Sequence, residues 1–517
     1  MKNKPLRHKE TNTFKFQPFS ERIANINVDI FHYVKHPYEE SSEDCETFFY
    51  QVLQKWNVLN LSESYDLLRK EITNNVQTLP QLLSQKEHIV HVLLNHLENS
   101  NLLSLQATLE FVVALARDLR QEFYVYYTEF FAKLIGLLNT KDTNQLEWTF
   151  TCLAYLFKFL WRHLVRDLAP VFESLLPLLS SSKPQYINNF AAESFAFVAR
   201  KVKDKRSFLK LVLKSLLKYP DGIDGCGRLL FETVRGISGQ FHTCAESLLI
   251  FLLESLFDES LPQKILFKVL THLVVCITEN INSKNSQVFW KNIQLVIEKS
   301  CLSDNFDKPE TVMEGMTCLL SLIETSLQHK GGVFLLNPSS LVETLVNILK
   351  HREWNDGVYT VIINVVSALL QGFRINLSQE VSSKLIRNIL SINSKLIIKL
   401  FVLKTLNYGG FETFVLPGAI DLCSQLDTLD SLHLLSKIVV NKVPPSLMVE
   451  NFQLWSRYPL NLSQSYKEYI QRLYHQLFDI LNVNSIEEIT GNVDNVCAAL
   501  LILPHLQDLD QTIYDKV

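Results

Sequence analysis

The sequence predicts an all-α chain, an α-solenoid of stacked antiparallel helix pairs, and three observations carry that expectation. Apolar residues recur at three- and four-residue steps almost without interruption from Thr47 onward, the spacing that gathers them on one helical face. Only 15 Gly and 16 Pro stand among 517 residues, against 32 Phe, so long helices are favoured over hairpins and Gly-rich loops. One helical segment also repeats. Trp148, Leu153, Ala154, Tyr155, Leu156 and Lys158 return 42 residues later as Phe190, Phe195, Ala196, Phe197, Val198 and Arg200. One step earlier, Leu109, Val112, Leu115 and Arg117 precede Phe150, Leu153, Leu156 and Lys158 by 41.

A period near 40 with two helices per unit is the HEAT or armadillo spacing. A single pair of this kind cannot bury both of its faces, and stacking supplies the missing partner. Taken in order, residues 1–46 read as an extended arm with a short helix and an acidic linker, and residues 47–517 as the solenoid. In the arm, Phe14 and Phe16 alternate with polar residues and Pro18 blocks helix, so these aromatics need a surface to cover them. Ser20 is placed to cap a helix carrying Ile23, Ile26 and Ile30, which ends before His36-Pro37. The acidic run from Glu39 to Glu46 reads as a solvated linker. Short polar breaks at Asn99-Ser-Asn, Asn139-Thr-Lys-Asp, Ser180-Ser-Ser-Lys-Pro, Tyr219-Pro-Asp-Gly and Asp304 to Pro309 make successive helices antiparallel neighbours. Asn188 to Lys205 reads as one amphipathic helix with Ala191, Ala192 and Ala199 where a neighbouring backbone comes close. Comparable apolar helices follow at Val312 to Glu324, Val361 to Phe373, Lys399 to Leu406 and Leu432 to Val440. The last apolar stretch, Val496 to Leu506, is no polar cap, which leads to the expectation that the natural polypeptide continues past Val517 or that another protein covers this end.

Composition narrows the function classes. The 50 basic and 54 acidic residues give a net charge of −4, which excludes a chain that coats nucleic acid by bulk positive charge. Nine cysteines occur singly and without C-x-x-C pairs, the usage of structural core cysteine in a reducing compartment. The greasiest runs are interrupted by charge well short of the roughly 20 apolar residues a membrane span requires, so no membrane association is expected. Nor does a catalytic or cofactor motif emerge. Asp221-Gly-Ile-Asp-Gly-Cys-Gly-Arg228 follows a helix rather than a strand, lacks the Gly-Lys-Ser/Thr ending of a phosphate loop, and reads as a loop between helices. Cys226, His242 and Cys244, and the histidines His88, His91 and His96, lack supporting ligands or acids at recognisable spacing. The aromatic clusters at Phe123 to Phe131 and Trp148 to Trp161 read as packing rather than base-stacking platforms. The chain is therefore expected to be no enzyme, with no cofactor, no metal and no small-molecule substrate.

One electrostatic feature stands out. Arg200, Lys201, Lys203, Lys205, Arg206, Lys210, Lys214 and Lys218 stand against the single acid Asp204. Lys210, Lys214 and Lys218 line one helix face while Leu209, Leu213 and Leu216 bury the other. Lys158, Arg162 and Arg166 form a similar row one repeat earlier, and in-register stacking would set the rows side by side as a stripe for a phosphate backbone or for an acidic protein partner.

Several runs carry a family resemblance: Thr11-Asn-Thr-Phe-Lys-Phe followed by Phe19-Ser-Glu-Arg-Ile-Ala-Asn-Ile-Asn-Val-Asp-Ile, Ala116-Arg-Asp-Leu, Asn189-Phe-Ala-Ala-Glu-Ser-Phe, and Arg200-Lys-Val-Lys-Asp-Lys. Weaker echoes fall at Val443-Pro-Pro-Ser and Ala498 to Leu506. They resemble the N-terminal region of the down-regulated-in-metastasis family, the very large nucleolar HEAT-repeat component of the small-subunit processome. The resemblance implies a non-catalytic scaffold in the nucleolus of the nucleus, with pre-ribosomal RNA, a small nucleolar ribonucleoprotein and other assembly proteins as partners. These are scaffold sequences, so no functional residue is carried over. The alternative is a karyopherin-like HEAT-repeat transport receptor or another protein–protein scaffold. The receptor reading expects a strongly acidic inner surface, whereas the longest acidic run here is the short one at Glu39 to Glu46.

Overall fold

The computed structural model describes residues 15–27, 46–72, 75–99, 101–236, 240–280, 283–302, 309–329, 338–351, 353–371, 377–423, 425–426, 428–442 and 493. Phe14, the acidic linker from Tyr38 to Cys45, the loop 303–308 and the apolar stretch Val496 to Leu506 lie outside the described residues. Helices run in the order α1 (Phe19–Ala24), α2 (Phe48–Leu59), α3 (Glu63–Glu71), α4 (Leu79–Glu98), α5 (Leu102–Leu119), α6 (Gln121–Tyr124), α7 (Tyr127–Leu137), α8 (Thr143–Leu164), α9 (Leu168–Leu175), α10 (Gln185–Ala199), α11 (Lys205–Lys218) and α12 (Ile223–Val234). There follow α13 (Ala245–Glu254), α14 (Gln263–Asn280), α15 (Ser283–Leu302), α16 (Pro309–Gln328), α17 (Pro338–His351), α18 (Asp356–Gln371), α19 (Gln379–Leu390), α20 (Lys395–Lys404), α21 (Leu416–Cys423) and α22 (Thr428–Lys442). No strand is found among the described residues; one isolated bridge joins Arg235 and Phe241.

The chain forms two compact units, Met1–Leu248 with Ser260–Cys276, and Leu249–Glu259 with Ile277–Val517. In the first, α2, α5, α8, α10 and α12 pack one upon the next as a layer, and α4, α7, α9 and α11 form a second. The sequence period has its cause here, because α8 and α10 occupy like positions in one layer. Phe150 stacks on its copy Phe190 at 4.3 Å between ring centroids, and the buried Ala191, Ala192 and Ala196 keep α10 thin enough for close packing. In the second unit α16 packs on α18, α18 on α20 and α20 on α22, while α15 packs on α17 and α17 on α19. The four later helices picked out by apolar periodicity are thus every second helix, the members of one layer. The HEAT/armadillo-like pairing continues through this unit.

Three local readings change. The helix expected from Asn188 to Lys205 ends at Ala199, because Asp204 accepts the Ser207 N–H and starts a new helix. The helix α1 starts at Phe19 behind Pro18 with no side-chain cap bond, so Ser20 lies inside it. Third, Gly225 and Gly227 are not in a loop. A short turn at Pro220–Gly222 leads directly into α12, which contains both. A Cβ on Gly225 would meet the Leu179 carbonyl oxygen at 2.1 Å, and one on Gly227 the His272 Cβ at 2.5 Å. Glycine is required for close helix packing, not for turning.

Candidate nucleic-acid interface

Asp204 divides the basic segment. Its Oδ1 accepts the Ser207 N–H at 3.1 Å, and the Ser207 hydroxyl followed by that N–H holds the carboxyl below its ordinary value. Beyond it, α11 buries Phe208, Leu209, Val212, Leu213 and Leu216 and packs on α9. That burial turns Arg206, Lys210, Lys214 and Lys218 outward, and all are exposed, as is Lys203 in the preceding turn. At 1.5 Å rise per residue, the row from Arg206 to Lys218 runs about 18 Å. Leu217 and Tyr219, 61% and 56% exposed, share its C-terminal end. Sequence reasoning missed these two, although Leu217 stands seven residues from Lys210 and so falls on the lysine side of the helix.

The earlier row lies elsewhere. Lys158 and Arg162 are on α8 and Arg166 just past its end, in the layer opposite α11, so the rows do not fall side by side. The period that aligns α8 with α10 pairs Lys158 with Arg200 rather than with Lys210. Lys158 Nζ donates to the Ile23 carbonyl at 3.3 Å, closing the end of α1. Arg200 donates Nε to the Thr233 carbonyl at 3.1 Å and Nη2 to the carbonyls of Glu232 and Arg235, the last at 2.6 Å. These are carbonyls that the C-terminus of α12 leaves without helical partners. Glu232 beside them is buried and paired with Arg228 at 2.8 Å and Arg235 at 3.2 Å; burial pushes its carboxyl up although both arginines pull it down. Lys201 Nζ sits 4.1 Å from the Phe197 ring centroid and 5.2 Å from that of Trp161, which Arg162 also approaches at 5.5 Å. Burial, then Arg200 and Lys158, hold the Lys201 ammonium below the ordinary lysine value. Lys205 Nζ donates to Ser247 Oγ at 2.6 Å. Of the predicted cations, the structure therefore gathers Lys158, Arg162, Arg200 and Lys201 in one cation–aromatic cluster. It sets Lys203, Arg206, Lys210, Lys214 and Lys218 on a separate outward face.

The remaining chemistry-bearing residues have local uses. His242 Nδ1 lies 3.1 Å from Cys244 Sγ, but burial pushes the thiol up and the imidazole down, away from the thiolate a nucleophile needs. Burial likewise raises the Cys226 thiol. His88 Nε2 is 2.9 Å from the Glu71 carbonyl and His96 Nε2 is 3.3 Å from the Glu71 carboxylate. Phe123, Tyr127, Phe130 and Phe131 are buried in packing. Among the described residues no helix is long and apolar enough to cross a membrane.

Two layers of paired helices, with charge presented on helix faces, define an α-solenoid of the HEAT and armadillo type. The chain is similar to U3 small nucleolar RNA-associated protein 20 of Schizosaccharomyces pombe, 25% identical over 519 residues that cover 96% of this chain and 20% of that protein. The protein of the same name from Saccharomyces cerevisiae is 30% identical over 268 residues, 50% of this chain and 10% of that one. The chain spans about a fifth of the length of the fission-yeast relative, 20%. No protein-family model matches it. Among solved structures, yeast importin-β is 13% identical at a TM-score of 0.31, over 91% of this chain and 57% of that one. A structure concerned with the interaction of cadherin and β-catenin is 11% identical at a TM-score of 0.26, over 88% and 98%.

Proposed function

We propose that this chain is a non-catalytic scaffold of the small-subunit processome, supporting pre-ribosomal RNA processing and small ribosomal subunit assembly in the nucleolus. The observation that carries the reading is similarity along 96% of the chain to a protein named for its association with U3 small nucleolar RNA. In this reading residues 47–517 are one repeat array, and its partners are pre-ribosomal RNA, the small nucleolar ribonucleoprotein and other assembly proteins. The outward cations Lys203, Arg206, Lys210, Lys214 and Lys218 supply the RNA-facing surface, supported by Arg162 and Arg166. Lys158, Arg200 and Lys205 act indirectly, because each is already held to an acceptor within the chain. A row of lysines on one rigid helix suits a phosphate backbone, which is recognised by position and charge rather than by sequence.

The test is affinity purification of the tagged chain from cells with sequencing of bound RNA. Enrichment of small-subunit precursor RNA is expected. Recovery of nuclear import cargo with no RNA would overturn the proposal in favour of a transport receptor.

A further inference from the structure

One groove of the first unit is filled by the chain itself, and the next one along is open. The filled groove is the seam between α8 and α10. Phe16 stacks on Tyr186 at 4.6 Å between centroids, and Phe19 sets its edge against Phe157 at 5.8 Å and Phe190 at 5.5 Å. Arg22 then donates to Thr151 Oγ1 at 2.7 Å and pairs with the Glu147 carboxylate. Lys158 holds a backbone carbonyl of the same segment, that of Ile23. The seam therefore takes two aromatic residues three positions apart, with an arginine three positions further on.

The seam between α5 and α8 is the same place one repeat earlier. Gln106, Leu109, Glu110 and Arg117 stand 41 residues before Glu147, Phe150, Thr151 and Lys158, and Trp148 and Tyr155 stand 42 before Phe190 and Phe197. All six line an open groove of about 500 Å³, whose far wall is α2. Its polar groups are arranged for the same kind of guest. Arg117, in the place of Lys158, lies 3.4 Å from the Phe48 ring centroid. Glu110 holds Lys55 Nζ at 2.6 Å on a half-exposed pair, an exchangeable occupant for a carboxylate facing the groove. Thr151 lines this groove and also binds Arg22 in the filled one, so the two are continuous.

We propose that the open groove docks a peptide segment of a partner protein that carries two aromatic residues three positions apart, followed three positions later by a basic residue. The rings pack against Trp148 and Tyr155, the basic group replaces Lys55 on Glu110, and Arg117 takes a backbone carbonyl. The filled groove next door is the precedent for each interaction, and a peptide is favoured over RNA because the occupant there is a peptide bound partly through a carboxylate.

The test uses the full chain and a fluorescein-labelled synthetic peptide copying Lys15 to Asn27, in which Phe19 is replaced by photoreactive benzoylphenylalanine. Saturable binding is expected, with cross-links on Trp148 or Tyr155. Affinity should fall about tenfold or more when the peptide carries Phe16→Ala or when the chain carries Val113→Glu with Tyr155→Glu. Gln106→Trp, which fills the groove without adding charge, is the second variant should the double one fail to fold. Three results would overturn the proposal: no saturable binding up to the solubility of the peptide, cross-links confined to Tyr186 and Phe190 through exchange with the arm, or displacement of the peptide by oligouridine whose own binding is lost on Tyr155→Glu.

Discussion

Arg200 and Lys158 stand at the same point of successive repeats, and each spends its charge on carbonyls at the end of a helix, where the dipole is negative. That both are cations at a repeat-equivalent position was legible in the sequence. The direction they point was not, because periodicity assigns a residue to a face and says nothing of which neighbour's carbonyls lie within reach. Replacing Arg200 by Ala removes the guanidinium that bridges the carbonyls of Glu232, Thr233 and Arg235 at the end of α12, and a charged hydrogen-bonding group of this kind is worth about 2 kcal/mol or more. Arg200→Lys should recover only part, since one ammonium does not span three carbonyls as a planar fork does. Urea unfolding of the two variants checks this, and equal stability for Ala and wild type would show the bonds to be idle. Gly225 is a second residue whose role the sequence hid, because glycine in such a cluster signals a loop until the neighbouring helix is placed. Gly225→Ala gains about 1 kcal/mol of helix propensity but puts a methyl group into the Leu179 carbonyl, an overpacking cost of about 1–3 kcal/mol or more. The clash prevails, so the variant is less stable than wild type. Gly136→Ala, with nothing within 4 Å of the new Cβ, should be neutral or stabilising in the same assay.

At the scale of the element, α11 is legible from its own spacing and not from its neighbours. Four-residue steps of lysine opposite leucine settle the outward face of an isolated helix, and Lys210, Lys214 and Lys218 lie there. The row on α8 does not join them because a repeat contains two helices: the period relates α8 to α10, while α11 is the other member of its pair. Changing Lys210, Lys214 and Lys218 to Glu should leave the fold intact, since all three are exposed. RNA affinity should drop, and the slope of log affinity against log salt should fall by about 2–3, at roughly 0.7–0.9 for each phosphate no longer neutralised. An unchanged slope would remove this face from the proposed RNA surface. The same helix has a pH response at its start. Asp204 has its carboxyl held below the ordinary value by Ser207, so its contribution is fully present above the unfolded value of about 3.9 and is lost as pH falls through the folded value. Protection factors of the α11 amides, taken relative to the intrinsic exchange rate at each pH, should fall on acidification across that window, and Asp204→Asn, which keeps an acceptor oxygen without titrating, should flatten the response.

For the whole molecule, stability in a repeat array is a sum of local terms and nearest-neighbour interfaces, and the arm is where that rule meets long-range packing. From the sequence, the aromatic arm from Phe14 to Phe19 is expected to be a contact surface for partners, its rings needing a surface to cover them. For Phe16 and Phe19 the cover is α8 and α10, more than a hundred residues away, a distance no local pattern encodes. The later repeats were legible for the opposite reason, since α16, α18, α20 and α22 each bury an unbroken apolar stripe of their own. Phe19 is 1% exposed and touches Phe157, Phe190 and Phe197, so Phe19→Ala removes a ring from a packed site at about 3–5 kcal/mol. Because arm and seam form one interface, that destabilisation falls first on α1, α8 and α10. Nearest-neighbour coupling confines it to the first unit. Hydrogen exchange should therefore show reduced protection in α8 and α10 and unchanged protection in α16, α18 and α20. Arg22→Ala should give the same pattern, because it removes a buried side chain that pairs with Glu147, donates to Thr151 and lies over the Phe150 ring. Reduced protection spread evenly over both units would mean that the chain unfolds as one cooperative body, and the additive description of the array would then fail.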